Sequence, residues 1–186
     1  MDKKEEILKA ALKLFVEFGF HATPTSKIAK EAGVANGTLF HYYKTKDDLI
    51  LALFTQSKTQ LNAYIYKDVA LSSDKESIFK SIYTNTIEWA LNHKDEFYFI
   101  QQFSTSPFYS LISPEEIRKQ AEPHLDFLQE GIKAAVLKPL PVDLLYTLIN
   151  SHIAGINQYL SSGEFSTNKQ KQIINESFQL LWDMIT

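Results

Sequence analysis

Apolar residues recur at intervals of three and four from the start of the chain. Ile7, Ala11, Leu14, Phe15 and Phe18 make one stripe, and Gly19 follows it directly. That spacing predicts an amphipathic helix, and a glycine just past the last periodic residue can take the left-handed conformation that closes a helix end. Thr23-Pro24 opens a second helix, the threonine oxygen placed to accept an early N–H and the proline to occupy the first helical position. Ile28, Ala29 and Ala32 supply its small inner face, Gly33 makes a turn, Val34 plugs the space beneath, and residues 35–43 leave room for about two helical turns. Thr45-x-x-Asp48 is a variant capping box, with an acid where Glu or Gln is usual, ahead of an apolar run that begins at Leu49. Beyond Thr45 strand signals are absent. The pattern predicts helices over 46–70, 74–92, 94–105, 114–137, 142–161 and 167–185, with breaks at Leu71-Ser72-Ser73, Ser106-Pro107, Lys138-Pro139-Leu140-Pro141 and Ser162-Gly163.

The expected fold is therefore all-α. A three-helix, helix-turn-helix domain over residues 1–45 precedes a helical bundle over 46–186. A turn of this kind holds two helices at a steep angle, so that the second can lie in a DNA major groove while the first crosses the backbone. The string Gly19-Phe20-x-x-Thr23, Ile28-Ala29-x-x-Ala32-Gly33-Val34 and Gly37-Thr38-Leu39-Phe40-His41-Tyr42-Tyr43-x-x-Lys46-x-x-Leu49 resembles the DNA-binding domain of the TetR (tetracycline-repressor) family. The resemblance implies a homodimeric repressor of double-stranded operator DNA whose second domain binds a small inducer. Three positions depart from the pattern. Pro24 replaces a usual Thr or Ser, Ala35 replaces the serine that often caps the recognition helix, and Phe40 stands where tyrosine is common. Loss of the serine cap costs about 1 kcal/mol unless Asn36 takes over.

Charge changes the picture of how DNA is held. The whole chain carries −3, and residues 1–50 hold eight lysines against seven carboxylates, so even the DNA-binding segment is barely basic. Binding then rests on a few placed lysines and backbone amides. Lysines on helices are usually plain solvated surface, but Lys46 sits in the first turn of a helix whose dipole disfavours a cation, and a phosphate gives a reason for it. Lys27 and Tyr42 are the other phosphate candidates, with Tyr43 and Leu39 packing inward. Thr25, Ser26, Asn36, Gly37, Thr38 and His41 are the base-edge candidates, and the Ala35 and Thr38 methyls suit thymine. Arg118 is the only arginine in the chain, which favours an A·T-leaning half-site.

In the bundle, Leu145, Leu148, Ile149, Ile153 and Ile156 on one segment and Ile174, Phe178, Leu181, Trp182 and Ile185 on another give wide apolar faces, and Ser151-x-x-x-Gly155 lets helix axes approach. The expected dimer seam comprises Leu148, Ser151, Gly155, Ile174, Phe178, Leu181 and Trp182; a purely intramolecular core is the alternative. Phe97, Tyr98, Phe99, Phe103, Phe108 and Tyr109 crowd thirteen residues. Aromatic walls with a few polar tips make small-molecule pockets, although aromatics at helical spacing usually fill a core. The expected effector site is Trp89, His93, Phe97, Phe99, Gln102, Phe103, Phe108, Asn150 and His152. An apolar or aromatic, largely uncharged molecule fits it, because an anion clamp would want more arginine.

Other classes fare worse. No Glu-x-x-His or His-Glu-x-x-His occurs, the five histidines are dispersed, and no Gly-x-Ser-x-Gly elbow is present, so no metal, cofactor or enzymatic activity is expected. A helical-bundle enzyme and a DNA-binding protein without an inducer remain the alternatives. Cysteine is absent, which suits a reducing compartment. Glu5, Glu6, Lys13 and Glu17 interrupt any signal-peptide core and no apolar run reaches spanning length, so a cytoplasmic protein without a membrane partner is expected.

Overall fold

The Asp2 carboxylate accepts the Lys4 N–H at 3.1 Å and so starts the first helix, α1 (Lys3–Phe18), of a chain whose computed structural model describes residues 2–67, 69 and 74–186. Ile7, Leu8, Ala10, Ala11, Leu14 and Phe15 form its buried face. Phe18 departs from the expected stripe. It is 43% exposed, and its ring instead lies under the Lys27 ammonium, 3.2 Å from the centroid. Gly19 at φ 77° and Gly33 at φ 66° make two reversals among the N-terminal helices, a conformation that side chains with a Cβ resist.

Thr23 works differently from the cap predicted for it. The second helix, α2 (Thr25–Glu31), has Pro24 at its N-cap with no side-chain bond, while the fully buried Thr23 hydroxyl donates backward to the carbonyls of Leu14 at 3.1 Å and Gly19 at 2.8 Å. The residue closes the end of α1 rather than opening α2. The third helix, α3 (Asn36–Tyr42), starts from Ala35, also without a side-chain cap, so Asn36 does not take that role. Next comes α4 (Lys46–Ile65). Its start is the reciprocal box expected, Asp48 N–H to Thr45 Oγ1 and Thr45 N–H to Asp48 Oδ2, both at 3.0 Å. The helix stops at Ile65, short of the 46–70 expected; Ala70 and the break at 71–73 lie outside the described residues.

Asp74 caps α5 (Lys75–Asn92), accepting the Ser77 N–H at 3.1 Å. There follow α6 (Lys94–Ser104), a 3-10 turn (Pro107–Leu111), α7 (Pro114–Lys133), α8 (Val142–Ser162) and α9 (Thr167–Ile185). The early end of α7, at 133 rather than 137, has a steric cause. Ala135 turns to φ 54°, the Val136 and Leu137 N–H groups bond back to the Gly131 carbonyl, and the Leu137 side chain lies where a Cβ on residue 131 would be, 2.7 Å away. Among the described residues there is no strand, and no helix is long and apolar enough to cross a membrane.

Contacts divide the chain into two units, and the division is not the one at residue 45. The first, the headpiece, is Met1–Gln60 with His93–Ser113; the second, the body, is Leu61–Asn92 with Pro114–Thr186. In the headpiece α1, α2 and α3 enclose Ile7, Phe15, Ile28 and Leu39, and α6 completes the core with Phe99 and Phe103, all fully covered. Phe99 lies 6.3 Å from Phe15 and 5.7 Å from Phe20, and Phe103 stacks on Phe54 at 4.1 Å. In the body, α5 packs on α8 and α9, and Phe79, Phe178 and Trp182 form an aromatic cluster with centroids 5.7 to 6.1 Å apart. Lys138 caps the end of α9, its N–H bonded to the Ile185 carbonyl at 2.8 Å and its ammonium to that of Met184 at 2.7 Å.

Candidate nucleic-acid interface and effector site

Leu39, fully covered, pins α3 into the headpiece and thereby fixes which of its residues face outward. Asn36, Gly37, Phe40, His41 and Tyr42 are exposed, Thr38 is part-covered, and Ala35 is exposed just before them. A Cβ at Gly37 would meet nothing within 4 Å, so packing does not demand glycine there and the surface stays low for a close neighbour. His41 and Tyr42 stand edge to face at 5.4 Å. On α2, Ser26 and Lys27 are exposed and Thr25 is part-covered. The predicted DNA-contacting residues of α2 and α3 thus share one small unit, anchored by Ile28, Ala29 and Leu39 beneath. Tyr43 packs inward as expected, 4% exposed, and burial raises its phenol above the ordinary range while leaving the hydroxyl without a partner.

Lys46 has a second occupation that the sequence does not announce. Its ammonium donates to the Phe20 carbonyl at 2.5 Å, tying the start of α4 to the end of the α1–α2 connection. Burial pushes it below the ordinary lysine range. Lys27 is likewise held, over Phe18, but remains exposed. By contrast the Lys13–Glu31 pair, 2.6 Å apart on the surface, is screened by water and contributes little to holding α1 against α2.

The nine residues expected to line one effector site are divided between the two units, and four of them, Trp89, Phe97, Phe99 and Phe103, fill cores. Phe97, Phe99 and Phe103 are buried in the headpiece, and Phe108 packs on Phe20 at 5.1 Å and His21 at 5.8 Å. The first three are headpiece core, because α6 folds against α1, and Phe108, part-covered in the 3-10 turn that follows, lies against that core. His93 is exposed at the N-cap of α6. Gln102, in contrast, keeps its side-chain carbonyl buried with no donor. In the body Trp89 is 2% exposed, while Asn150 faces solvent and merely bonds back to the Tyr146 carbonyl at 2.8 Å, so it lines no core site. His152 donates through Nε2 to the Ser177 carbonyl at 3.0 Å beside the Tyr83 ring, and the Tyr83 hydroxyl meets Ser177 Oγ at 2.9 Å. Burial lowers the His152 imidazole below its usual value, against a smaller opposing effect of that carbonyl. Further buried polar atoms lack partners: Gln56 Oε1 in the headpiece, Asn62 Oδ1 and Asn157 Nδ2 in the body. A surface recess of about 510 Å³ opens in the headpiece, lined by charged residues such as Glu6, Lys13, Glu31 and Glu96, and none of the nine belongs to it. No cluster of His, Cys, Asp or Glu among the described residues could hold a metal ion.

The dimer seam also needs correction. Ile174, Phe178, Leu181 and Trp182 are covered inside the body, at 8% exposure or less, and so cannot form a surface. The exposed apolar residues lie on other faces of the same helices. Leu144 is 44% exposed and shares a face of α8 with Leu148, Ser151 and Gly155; Leu180 and Met184, at 69% and 44%, share a face of α9. Ser151 and Gly155 are exposed as the expected seam requires, Leu148 is part-covered, and a Cβ at Gly155 would meet nothing within 4 Å.

Comparison with known proteins agrees with this geometry. Residues 7–53 match the family model described as bacterial regulatory proteins, tetR family, and residues 54–186 match that of the tetracyclin repressor-like C-terminal domain. The fatty acid metabolism regulator protein of Bacillus subtilis (strain 168) is 39% identical over 67 residues, 36% of this chain and 34% of that protein, so the likeness spans about a third of each. The HTH-type transcriptional repressor KstR2 of Mycobacterium tuberculosis is 27% identical over 156 residues, 79% of this chain and 76% of that one. A crystal structure of a tetR family transcription regulator from Shewanella sp. PV-4 superposes with a TM-score of 0.89 at 28% identity, covering 100% of this chain and 98% of that one.

Proposed function

The chain belongs to the tetR family of bacterial regulatory proteins, a DNA-binding transcriptional regulator and not an enzyme, and from that premise we propose a two-fold homodimeric repressor released from a palindromic operator by a small molecule. The observation that carries the DNA reading is α3 itself: one fully buried anchor, Leu39, beneath an outward face of Asn36, Gly37, Thr38, His41 and Tyr42. A helix so short and so exposed is shaped to be covered by something else, and the groove of a duplex fits it. Repression is supported by the relative that is named a repressor.

The dimer is supported by the exposed face of Leu144, Leu148, Ser151 and Gly155 on α8 with Leu180 and Met184 on α9. Two such helices meeting their symmetry mates bury these apolar side chains in a four-helix seam. Footprinting on a palindrome with half-sites about 34–36 Å apart, or a multiple of that spacing, tests the whole. A sequence-tolerant footprint would instead favour a DNA-binding protein without an inducer. Sedimentation tests the seam: Leu180→Glu yields a folded monomer, whereas Leu181→Glu, fully buried, unfolds the body. A dimer that survives Leu180→Glu refutes the seam.

A further inference from the structure

We infer that the effector carries one anionic group, a carboxylate on an otherwise apolar body, and that Lys58 on α4 receives it. This rests on the ligand-released reading above and replaces the uncharged molecule expected from the shortage of arginine. Lys58 stands on an inward face of its helix: Phe54, one turn before, is 4% exposed, and Leu61, one turn after, is 6% exposed. A charged residue amid an apolar stripe is expensive unless it is paired.

The other placed lysines are satisfied within the chain. Lys13 has Glu31, Lys27 the Phe18 ring, Lys46 the Phe20 carbonyl, Lys75 the Glu130 carboxylate and Lys138 the end of α9. Lys58 has no carboxylate, carbonyl or ring for its ammonium among the described residues, and burial alone pushes it below the ordinary lysine range, with no neighbouring charge to offset that. Yet its side chain is not sealed: it keeps an intermediate share of its surface. A group surrounded by enough protein to be desolvated, yet still reachable from solvent, is placed to meet an incoming partner without first opening the core. The Phe54 ring, stacked on Phe103 at 4.1 Å, gives that part of α4 an apolar floor. One ammonium with three donors and no arginine fork beside it suits a single carboxylate oxygen better than a phosphate cluster.

The test pairs acids with neutral analogues of the same length. Binding of octanoate and palmitate, octanol and hexadecanol, and palmitoyl-CoA is followed by tryptophan fluorescence in wild type, Lys58→Met and Lys58→Arg. Wild type should prefer at least one acid over its alcohol by roughly 10- to 100-fold, the range for a charge-assisted hydrogen bond. Lys58→Met should erase that preference and Lys58→Arg should keep part of it. Ligand-free Lys58→Met should melt no lower than wild type, because the substitution removes an unpaired desolvated charge. Palmitoyl-CoA binding that is indifferent to Lys58→Met while no free acid is preferred overturns the assignment. So does the absence of any acid preference in wild type, its persistence in Lys58→Met, or a lower melting temperature for that variant. Operator binding by ligand-free Lys58→Met stays intact in every case; its loss in wild type as well would refute the regulator reading instead.

Discussion

Replacing Lys46 by methionine separates two roles that one ammonium can hold together. Methionine keeps most of the aliphatic stem and removes only the charge and its donors. In the folded headpiece the lost bond is the one to the Phe20 carbonyl, 2.5 Å long. A charged donor to a carbonyl contributes about 1.5–3 kcal/mol net when well shielded. Lys46 is only part-covered, and Phe20 also accepts the Thr23 N–H at 3.4 Å, so the carbonyl is not wholly orphaned by the change. The expected loss of stability is therefore nearer 1 kcal/mol. Urea unfolding measures it as a lower midpoint at unchanged slope. The remaining two protons of the ammonium are available to a phosphate. If they are used there, the slope of log binding constant against log salt falls by about 0.9 for each lost contact, hence roughly 2 for a dimer. Specific and random DNA should weaken alike. An unchanged salt slope would refute the phosphate contact, and an unchanged urea midpoint would refute the clamp.

Other outcomes follow from single contacts. Thr23→Val keeps shape but removes the donor that the Leu14 and Gly19 carbonyls share, and should cost about 1–2 kcal/mol in chemical denaturation; a neutral result would show that the hydroxyl does not close α1. Substituting Asn36 or Thr38 should change sequence preference at one position per half-site by roughly 1–3 kcal/mol in competition binding, without altering the salt slope. Tyr83, 1% exposed, has its phenol pushed up to about 12, chiefly by burial. The folded value lies above the unfolded one, so stability holds below pH 10 and falls by something on the order of 2 kcal/mol as pH climbs from 10 toward 12. Tyr83→Phe should make that alkaline fall shallower, and an identical fall would place the titrating group elsewhere.

Helix boundaries were largely legible in the sequence, because caps and breakers act within a few residues: Gly19 ends α1, Thr45 with Asp48 starts α4, and Pro107 follows α6. Which face turns inward was not. On α9 apolar residues lie on both sides, and Leu180 and Leu181 differ by a single step of about 100° around the helix, so periodicity alone could not say which is covered. The aromatic run of α6 is legible as a cluster but not as headpiece core, since nothing local tells Phe99 that its partners are Phe15 and Phe20. At Lys46 only part of the environment was legible, for the same reason: the helix dipole is visible in the sequence, whereas the Phe20 carbonyl lies far back along the chain. Lys58 leaves a local trace in the sequence, a cation within the apolar stripe from Phe54 to Leu61.

The headpiece core is discontinuous in the chain, and this matters while the protein is being made. Phe99 and Phe103 must return to Phe15, Phe20 and Phe54 across the whole of α5, which belongs to the other unit. Such non-local closure is slow to form and leaves apolar surface uncovered in the meantime. A ribosome that has released the three N-terminal helices has therefore not yet released a finished DNA reader; the nascent segment waits for α6 to emerge. Truncation at residue 53, where the N-terminal family match ends, would strip the same wall away. The lobe that reads DNA is thus finished only after the first stretch of the body, Leu61–Asn92, has been synthesised as well.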